Sequence, residues 1–538
     1  MLSHLLSVED MLLGARFFWT LPSLLRHRIS LEEAQTTLRR RLEHREADFL
    51  TLAKRVIYEN PGSPYRQLLT LAGCEYGDLE RLVRQDGVEG ALRTLLRQGV
   101  YLTVDEFKGR RAVVRGSATM AVDPGRLRNP WSGLHVPAQS SGSRSARTAV
   151  LLDLVFVRDC AVSTLLALNA RGGTLWLKAT WENPGGGAMF RLLKLAGFGD
   201  PPVRWFSMVD PGAAGLHPRY RWNARLMRWE SVLLGVPLPS RQYVSLDNPL
   251  PIAHWMAQVL RAGRTPFLYA FTSSAVRLCQ AAVRAGIDLD GAQFTLIGEP
   301  VTAARLAVIH QAGAEATTRY GTIESGPIGY GCLAPDAPDD VHLLHDLHAL
   351  IQPEPDRTGV GAPPLSLFIS TLRQTAPVIM LNVSMGDQAV MTRRACGCRL
   401  KQVGWATHLH TIRSFEKLTA GGMTFLDTDV IRVLEEVLPS RFGGAPTDYQ
   451  LVEEEAEDGQ PRVRLLVHPR VGPVAPEMVA EIFLSSISAG SGAEKIMGLV
   501  WRDAKLLRVE RRAPLATASG KILHLHVARR APRDPCER

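Results

Sequence analysis

Residues 295–331 read TLIGEPVTAARLAVIHQAGAEATTRYGTIESGPIGYG, and this stretch decides the fold. A short apolar run ends in Gly298-Glu299-Pro300, the helical segment TAARLAVIHQAG follows, and a second run ends in Tyr320-Gly321-Thr322-Ile323-Glu324. The order is strand, helix, strand, with both loops at strand ends, where open α/β sheets bind ligands. Upstream, the runs VLLDLVFV, GTLWLKAT, TPFLYAF and QFTLIG alternate with helical stretches such as SSAVRLCQAAVRAG, which predicts an α/β domain of mixed sheets covered by helices.

Further out the texture changes on both sides. From Leu31 to Leu96 apolar residues recur at helical spacing, broken by PGSP at 61–64, so a helical N-terminal extension is expected over residues 1–123. Beyond Arg413 come the helix DTDVIRVLEEVLP, a hairpin turned at Asp458-Gly459 into the alternating PRVRLLVHP, the helix APEMVAEIFLSSI, and strands. This predicts a small α+β C-terminal domain over 413–538 and leaves 124–412 as the α/β core.

Composition narrows the function classes. With 46% hydrophobic and 22% charged residues over 538 positions, the chain has ample material for large cores, and global disorder is excluded. The net charge of +10 rests mostly on arginine, only nine of the 63 basic residues being lysine. The arginines are spread along the chain rather than stacked on one block, which argues against nucleic acid as the partner. The most apolar N-terminal stretch, Met11 to Leu25, is interrupted by Arg16 and Pro22, so neither a membrane span nor a signal peptide is expected. Four of the seven cysteines (Cys74, Cys160, Cys279, Cys536) are isolated, which suits a reducing cytoplasm better than a disulfide framework. Monomer and homodimer are equally open.

Four further stretches carry chemistry. The loop SSGSRSART (Ser140, Ser141, Gly142, Ser143, Arg144 through Thr148) combines small hydroxyl residues with Arg144 and Arg147, the makings of a backbone nest for a polyphosphate. Gly386-Asp387 places a carboxylate after a turn residue, RSFEKLTAGG runs from Arg413 to Gly422, and TASGK from Thr517 to Lys521. Taken in order with GEP and YGTIE, these resemble the motifs of the acyl-adenylate-forming enzymes, and within them the phenylacetate-CoA ligase branch, with phenazine-pathway adenylating proteins and acyl-protein synthetases as near relatives. SSGSRSART falls where that branch has SSGTTGKPT and shares its closing threonine.

The resemblance implies a function and roles. A carboxylic acid, aryl or acyl, attacks the α-phosphorus of ATP to give acyl-AMP, and the acyl group passes to the thiol of coenzyme A or of a phosphopantetheinyl carrier protein, with a protein cysteine or an amine as the alternative acceptor. Residues 140–148 would hold the β and γ phosphates, Gly298, Glu299 and Pro300 would border the nucleotide, and Tyr320 would stack on adenine. Thr322 would contact the α-phosphate, Glu324 help hold magnesium, and Asp387 accept from the ribose hydroxyls. Arg413 would neutralise phosphate charge, and Lys521, on a mobile C-terminal domain, would bridge phosphate and carboxylate. Ser145 and Arg147 replace glycine and proline of the phosphate loop, Phe415 replaces the first hinge acid, and Pro514 stands one residue too far from Thr517. These departures keep a rival in view, a non-catalytic relic that binds a nucleotide or a partner on the same fold.

Cys332, His342 and Cys396-Gly-Cys398 form a second constellation, with His345 and His348 as competing donors. Three thiolates and an imidazole are the ligand set of a closed tetrahedral zinc site, and some relatives within the resemblance carry a structural zinc at these places.

Overall fold

The computed structural model describes residues 17, 19–132, 136–139, 149–182, 186–210, 228–229, 231–353, 362–363, 365–414, 419–420, 423–424, 427–455, 461–487, 507–517 and 520–528. The loop 140–148 lies outside them. Its flanking strands β1 (Val136–Gln139) and β2 (Ala149–Leu152) pair antiparallel, Gln139 opposite Ala149, so the loop's two ends are neighbours.

The centre is a twelve-stranded sheet. Its strands are β3 (Leu177–Glu182), β4 (Arg204–Ser207), β5 (Arg241–Tyr243), β6 (Pro266–Phe271), β7 (Gln293–Ile297), β8 (Glu315–Thr322), β9 (Gly326–Gly331), β10 (Val341–Leu343), β11 (His348–Ile351), β12 (Ser366–Thr371), β13 (Val383–Arg393) and β14 (Thr407–Ser414). Their order across the sheet is β11-β12-β13-β14-β10-β9-β8-β7-β6-β3-β4-β5. From β5 to β8 the neighbours run parallel, and from β8 to β11 antiparallel. The middle of the parallel half is buried on both faces, as the unbroken apolar run of β6 shows.

One expected strand divides. In VLLDLVFV the strand β2 stops at Leu152, and Asp153 accepts from the Val155 N–H as the cap of a helix over Leu154–Ala170. That helix is buried on almost every side, so its apolar run lacks the stripe that marks a surface helix and mimics a strand.

The N-terminal helices are packed into the core. Leu92, Leu95 and Val100 share one apolar cluster with Ile369, Leu381 and Val383 of the sheet. Buried Asn382 donates to Leu92 O at 2.8 Å and Val100 O at 3.1 Å, closing the seam. The C-terminal part has its own core, around Val433, Leu465 and Phe483. Its sheet orders β17-β16-β15-β18, made of β15 (Tyr449–Glu455), β16 (Pro461–Val467), β17 (Leu507–Arg511) and β18 (Leu525–Ala528). Among the described residues no helix is long and apolar enough to cross a membrane.

Candidate active site and metal centre

Tyr320 and Asp387 come from strands with three others between them, and the Tyr320 hydroxyl donates to Asp387 Oδ2 at 2.9 Å. Burial and then the Asp387 charge hold the Tyr320 phenol well above its ordinary pKa, so it stays a neutral donor. Just beyond it, β8 is bulged between Tyr320 and Gly321, and a Cβ on Gly321 would meet Gly326 O at 2.3 Å. The glycine therefore lets the chain turn sharply into β9. Within the turn the Thr322 hydroxyl lies 2.9 Å from Ser325 Oγ and accepts from the Ser325 N–H at 3.1 Å, while Glu324 is buried.

Arg413 sits at the end of β14 but is tied elsewhere. Its Nη1 donates to Asp339 at 2.7 Å, and the same carboxylate accepts from the Thr411 and Ile412 N–H groups, each at 2.8 Å. Thr411 has a φ of +54°, a left-handed conformation that a threonine does not hold without help. Asp339 pins that kink and the arginine together. Nothing in the sequence marks Asp339: it and Asp340 are two adjacent acids in a loop, which read as a solvated turn.

The C-terminal part of the chain reaches the same strand ends. Lys521 Nζ stands 5.2 Å from the centroid of the Phe271 ring at the end of β6, and 3.0 Å from where a Cβ on Gly298 would lie. Gly298 leaves the space that the lysine fills. The TASGK loop is tight: the Lys521 N–H donates to the Thr517 hydroxyl at 3.1 Å and the Gly520 N–H to Thr517 O at 2.7 Å.

Glu299 holds this arrangement. It accepts from the Ser273 N–H at 2.6 Å, the Ser273 hydroxyl at 2.9 Å and the Ile522 N–H at 2.9 Å, with Arg305 Nη1 at 3.4 Å. Its oxygens are thus engaged by the protein's own donors rather than turned to a nucleotide. Arg305 continues across the interface to Glu435, which also accepts from the Thr302 hydroxyl, and His524 Nε2 lies 3.0 Å from Arg305 Nη2 and against Glu435. Burial opposes ionisation of Glu435, but Arg305 and His524 overcome it and hold the carboxyl down to about 2. Burial and then Arg305 lower the His524 pKa.

The metal-type residues converge. The Cys332 and Cys398 sulfurs are 4.0 Å apart, and His342 Nε2 is 3.1 Å from Cys398 Sγ and 3.7 Å from Cys396 Sγ. A tetrahedral zinc with bonds of about 2.3 Å to sulfur and about 2.0 Å to nitrogen needs edges of roughly 3.5 to 3.8 Å. The His342–Cys396 separation falls in that range, and the other two lie a few tenths of an ångström to either side of it. The Ala334 N–H donates to Cys332 Sγ at 3.4 Å, and the backbone at Leu333, Lys401 and Leu400 does the same for Cys398. Burial raises the Cys398 thiol pKa, but these bonds outweigh it and the net direction is down. His342 Nδ1 lies 2.6 Å from Trp405 O, which aims Nε2 into the cluster, and burial lowers its pKa to about 4, so the ring is neutral as a ligand requires.

His408 was missed. It pairs with His342 across β10 and β14, and its imidazole comes within 4.8 Å of Cys332, His342 and Cys396 while Nδ1 is held by Asp340 at 2.8 Å. The period-two pattern THLHT shows a strand, but not which strand it faces. The competing donors stay out: His348 Nε2 bonds Pro327 O at 2.9 Å in the core, and His345 O accepts from Arg45.

No protein-family model and no curated protein matches the chain. Among solved structures, 2-hydroxyisobutyryl-CoA ligase in its postadenylation state with R3-HIB-AMP is similar over 90% of this chain and 89% of its own, at a TM-score of 0.55 and 14% identity. The same ligase in its postadenylation state with 2-HIB-AMP gives 0.53 over the same 90% and 89%, again at 14% identity. Likeness at that identity is likeness of fold. The chain has the fold of that ligase, and this is the fold the order of its motifs led us to expect.

Proposed function

We propose that the chain activates a carboxylic acid with ATP and passes the acyl group to a thiol, in the manner of the phenylacetate-CoA ligase branch. The observation that carries this reading is Lys521, brought by the C-terminal domain over Gly298 beside the strand ends of Phe271, Tyr320 and Thr322. A carboxylate oxygen attacks the α-phosphorus, the bond to the bridging oxygen breaks, and pyrophosphate leaves. Lys521 stabilises charge developing between carboxylate and phosphate. The thiol sulfur then attacks the acyl carbon and AMP departs; coenzyme A or a carrier-protein phosphopantetheine would supply that thiol. Tyr320 and Asp387 would hold adenosine, residues 140–148 the outer phosphates, and Glu324 a magnesium ion. The cytoplasm is the compartment we assign, since it keeps the cysteines reduced.

ATP–pyrophosphate exchange against a panel of aryl and aliphatic acids tests the reading. Acid-dependent exchange is expected, and none with any acid would overturn it in favour of a nucleotide-binding relic. One observation favours that second reading: the guanidinium of Arg413 is engaged by Asp339.

For the metal, we propose zinc held by Cys332, His342, Cys396 and Cys398, with His408 as a fifth donor beside them. Four protein ligands leave no open position, so the ion would brace the β10–β14 pair against the Cys-Gly-Cys turn. About one zinc per chain is expected by elemental analysis. Cys396→Ser with Cys398→Ser should lower the melting temperature while acid-dependent exchange persists; metal-free protein would end the proposal.

A further inference from the structure

Three cations meet on one face of the sheet beneath the strand ends. Arg319 projects from β8, and Arg191 and Lys194 lie one helical turn apart on the helix Gly186–Ala196. They gather around two buried tyrosines: Lys194 Nζ is 3.3 Å from the Tyr330 hydroxyl, and 5.6 and 5.9 Å from the Tyr269 and Tyr330 ring centroids. Lys194 is wholly buried. Arg319 acts electrostatically on both Arg191 and Lys194, so the three form one cluster.

The cluster's charge does not close. Arg191 Nε donates to Glu182 at 2.7 Å, and among the described residues Glu182 is the one carboxylate paired with any of the three. Arg319 Nε is buried with no partner. Burial, and then Arg319, press the Lys194 ammonium well below its ordinary pKa, and the same two causes lower Arg191 to about 9. Three basic side chains gathered around one carboxylate are costly to hold at a partly buried place unless a further negative charge joins them.

Their position supplies a use. Parallel register aligns Phe271 with Ile297 and Ile297 with Arg319, so Arg319 shares a face and a level with the Phe271 ring beside Lys521. Tyr269, near Lys194, is one strand repeat below Phe271, about 7 Å. Arg319, Tyr320 and Thr322 are half-buried and the Arg191 side chain is 12% exposed, so part of the cluster keeps contact with solvent.

We infer that the acid this chain takes carries a second anionic group, which settles among Arg191, Lys194 and Arg319 while the reacting carboxylate faces Lys521. Short dicarboxylates are the simplest members of that class. The inference rests on the adenylation reading and adds the substrate's charge to it.

The test is pyrophosphate exchange with length-matched pairs: succinate, glutarate and adipate against butyrate, pentanoate and hexanoate, and the three phthalate isomers against benzoate. For the best pair, kcat/KM should favour the dianion by about 100-fold or more, the scale of a buried charge-assisted contact. Arg319→Gln should erase most of that preference through the acid's KM, leaving the KM for ATP unchanged; Lys194→Met, close to isosteric, serves if the first variant folds poorly. Monoacids equal to or better than dianions in wild type would overturn the inference and leave adenylation standing. No exchange with any acid, yet saturable calorimetric binding of a dianion that Arg319→Gln removes, would keep the anion site and overturn adenylation. Neither exchange nor binding would overturn both.

Discussion

The charges around Arg305 and those around Arg319 flank the same strand ends and are built differently. In the first, two carboxylates (Glu299 and Glu435) stand against one arginine and one histidine, and the backbone N–H of Ser273 and of Ile522 and the hydroxyls of Ser273 and Thr302 occupy remaining lone pairs. In the second, three cations share one carboxylate, and a guanidinium nitrogen is left with no partner. The difference separates a joint from a receptor. A joint meets its buried charges with its own partners, here Arg305 and a set of hydrogen-bond donors, whereas a site shaped for an anion leaves its counter-charge to arrive with the ligand.

The largest expected effect is at the joint. Glu435→Ala leaves Arg305 with Glu299 alone and takes the acceptor from Thr302 and His524, which should cost about 3 kcal/mol, the low end for breaking a buried pair, in denaturant unfolding or show as protease sensitivity of the C-terminal part. The joint should also loosen in acid. Glu435, held down to about 2, contributes stability above the ordinary carboxylate range that is lost as pH falls toward that value. His524, lowered in the fold, is kept neutral there, so stability also falls as pH drops below the ordinary histidine value. Limited proteolysis between neutral and mildly acidic pH should show the C-terminal domain released at the acid end. Unchanged cleavage would mean that other contacts hold it.

Next in size is Lys521→Ala. Acyl-adenylate formation should fall about 100-fold with ATP binding retained, the usual scale for one transition-state contact. If the joint serves mainly to present this lysine, adding Glu435→Ala should lower exchange little further. Additive losses would separate the joint from the chemistry.

The smallest effect should have the opposite sign. Lys194→Met replaces an uncompensated buried amine by an apolar chain of similar volume and should raise unfolding stability by about 1 kcal/mol. A loss of stability instead would make the second cluster a joint like the first.

Local features were legible in the chain. The strand-to-turn runs at Gly298 and Tyr320, the TASGK loop and the Cys-Gly-Cys knuckle are each written in a few adjacent residues, and the structure brings Lys521 to Gly298 and Cys332 to Cys398. The partners that decide what those features do were not legible. Arg305 meets Glu435 across 130 positions and His524 across 219, and one sequence carries no mark of such pairings. Glu299 shows the consequence: its motif is local, but its occupation by Ser273 and Ile522 is a property of the folded interface. The helix after Asp153 was hidden for another reason, since full burial removes the polar face by which helical periodicity is read.

Lys521 and Ile522 are consecutive, and the Ile522 N–H is held by Glu299 at 2.9 Å. If residues 413–538 turn as a unit, as the resemblance implies, the lysine leaves Gly298 only as that bond opens, so the two events share one clock. Deuterium uptake at this single amide would count the openings. Set beside the rate of pyrophosphate exchange under the same conditions, it would weigh the proposed motion against the proposed chemistry.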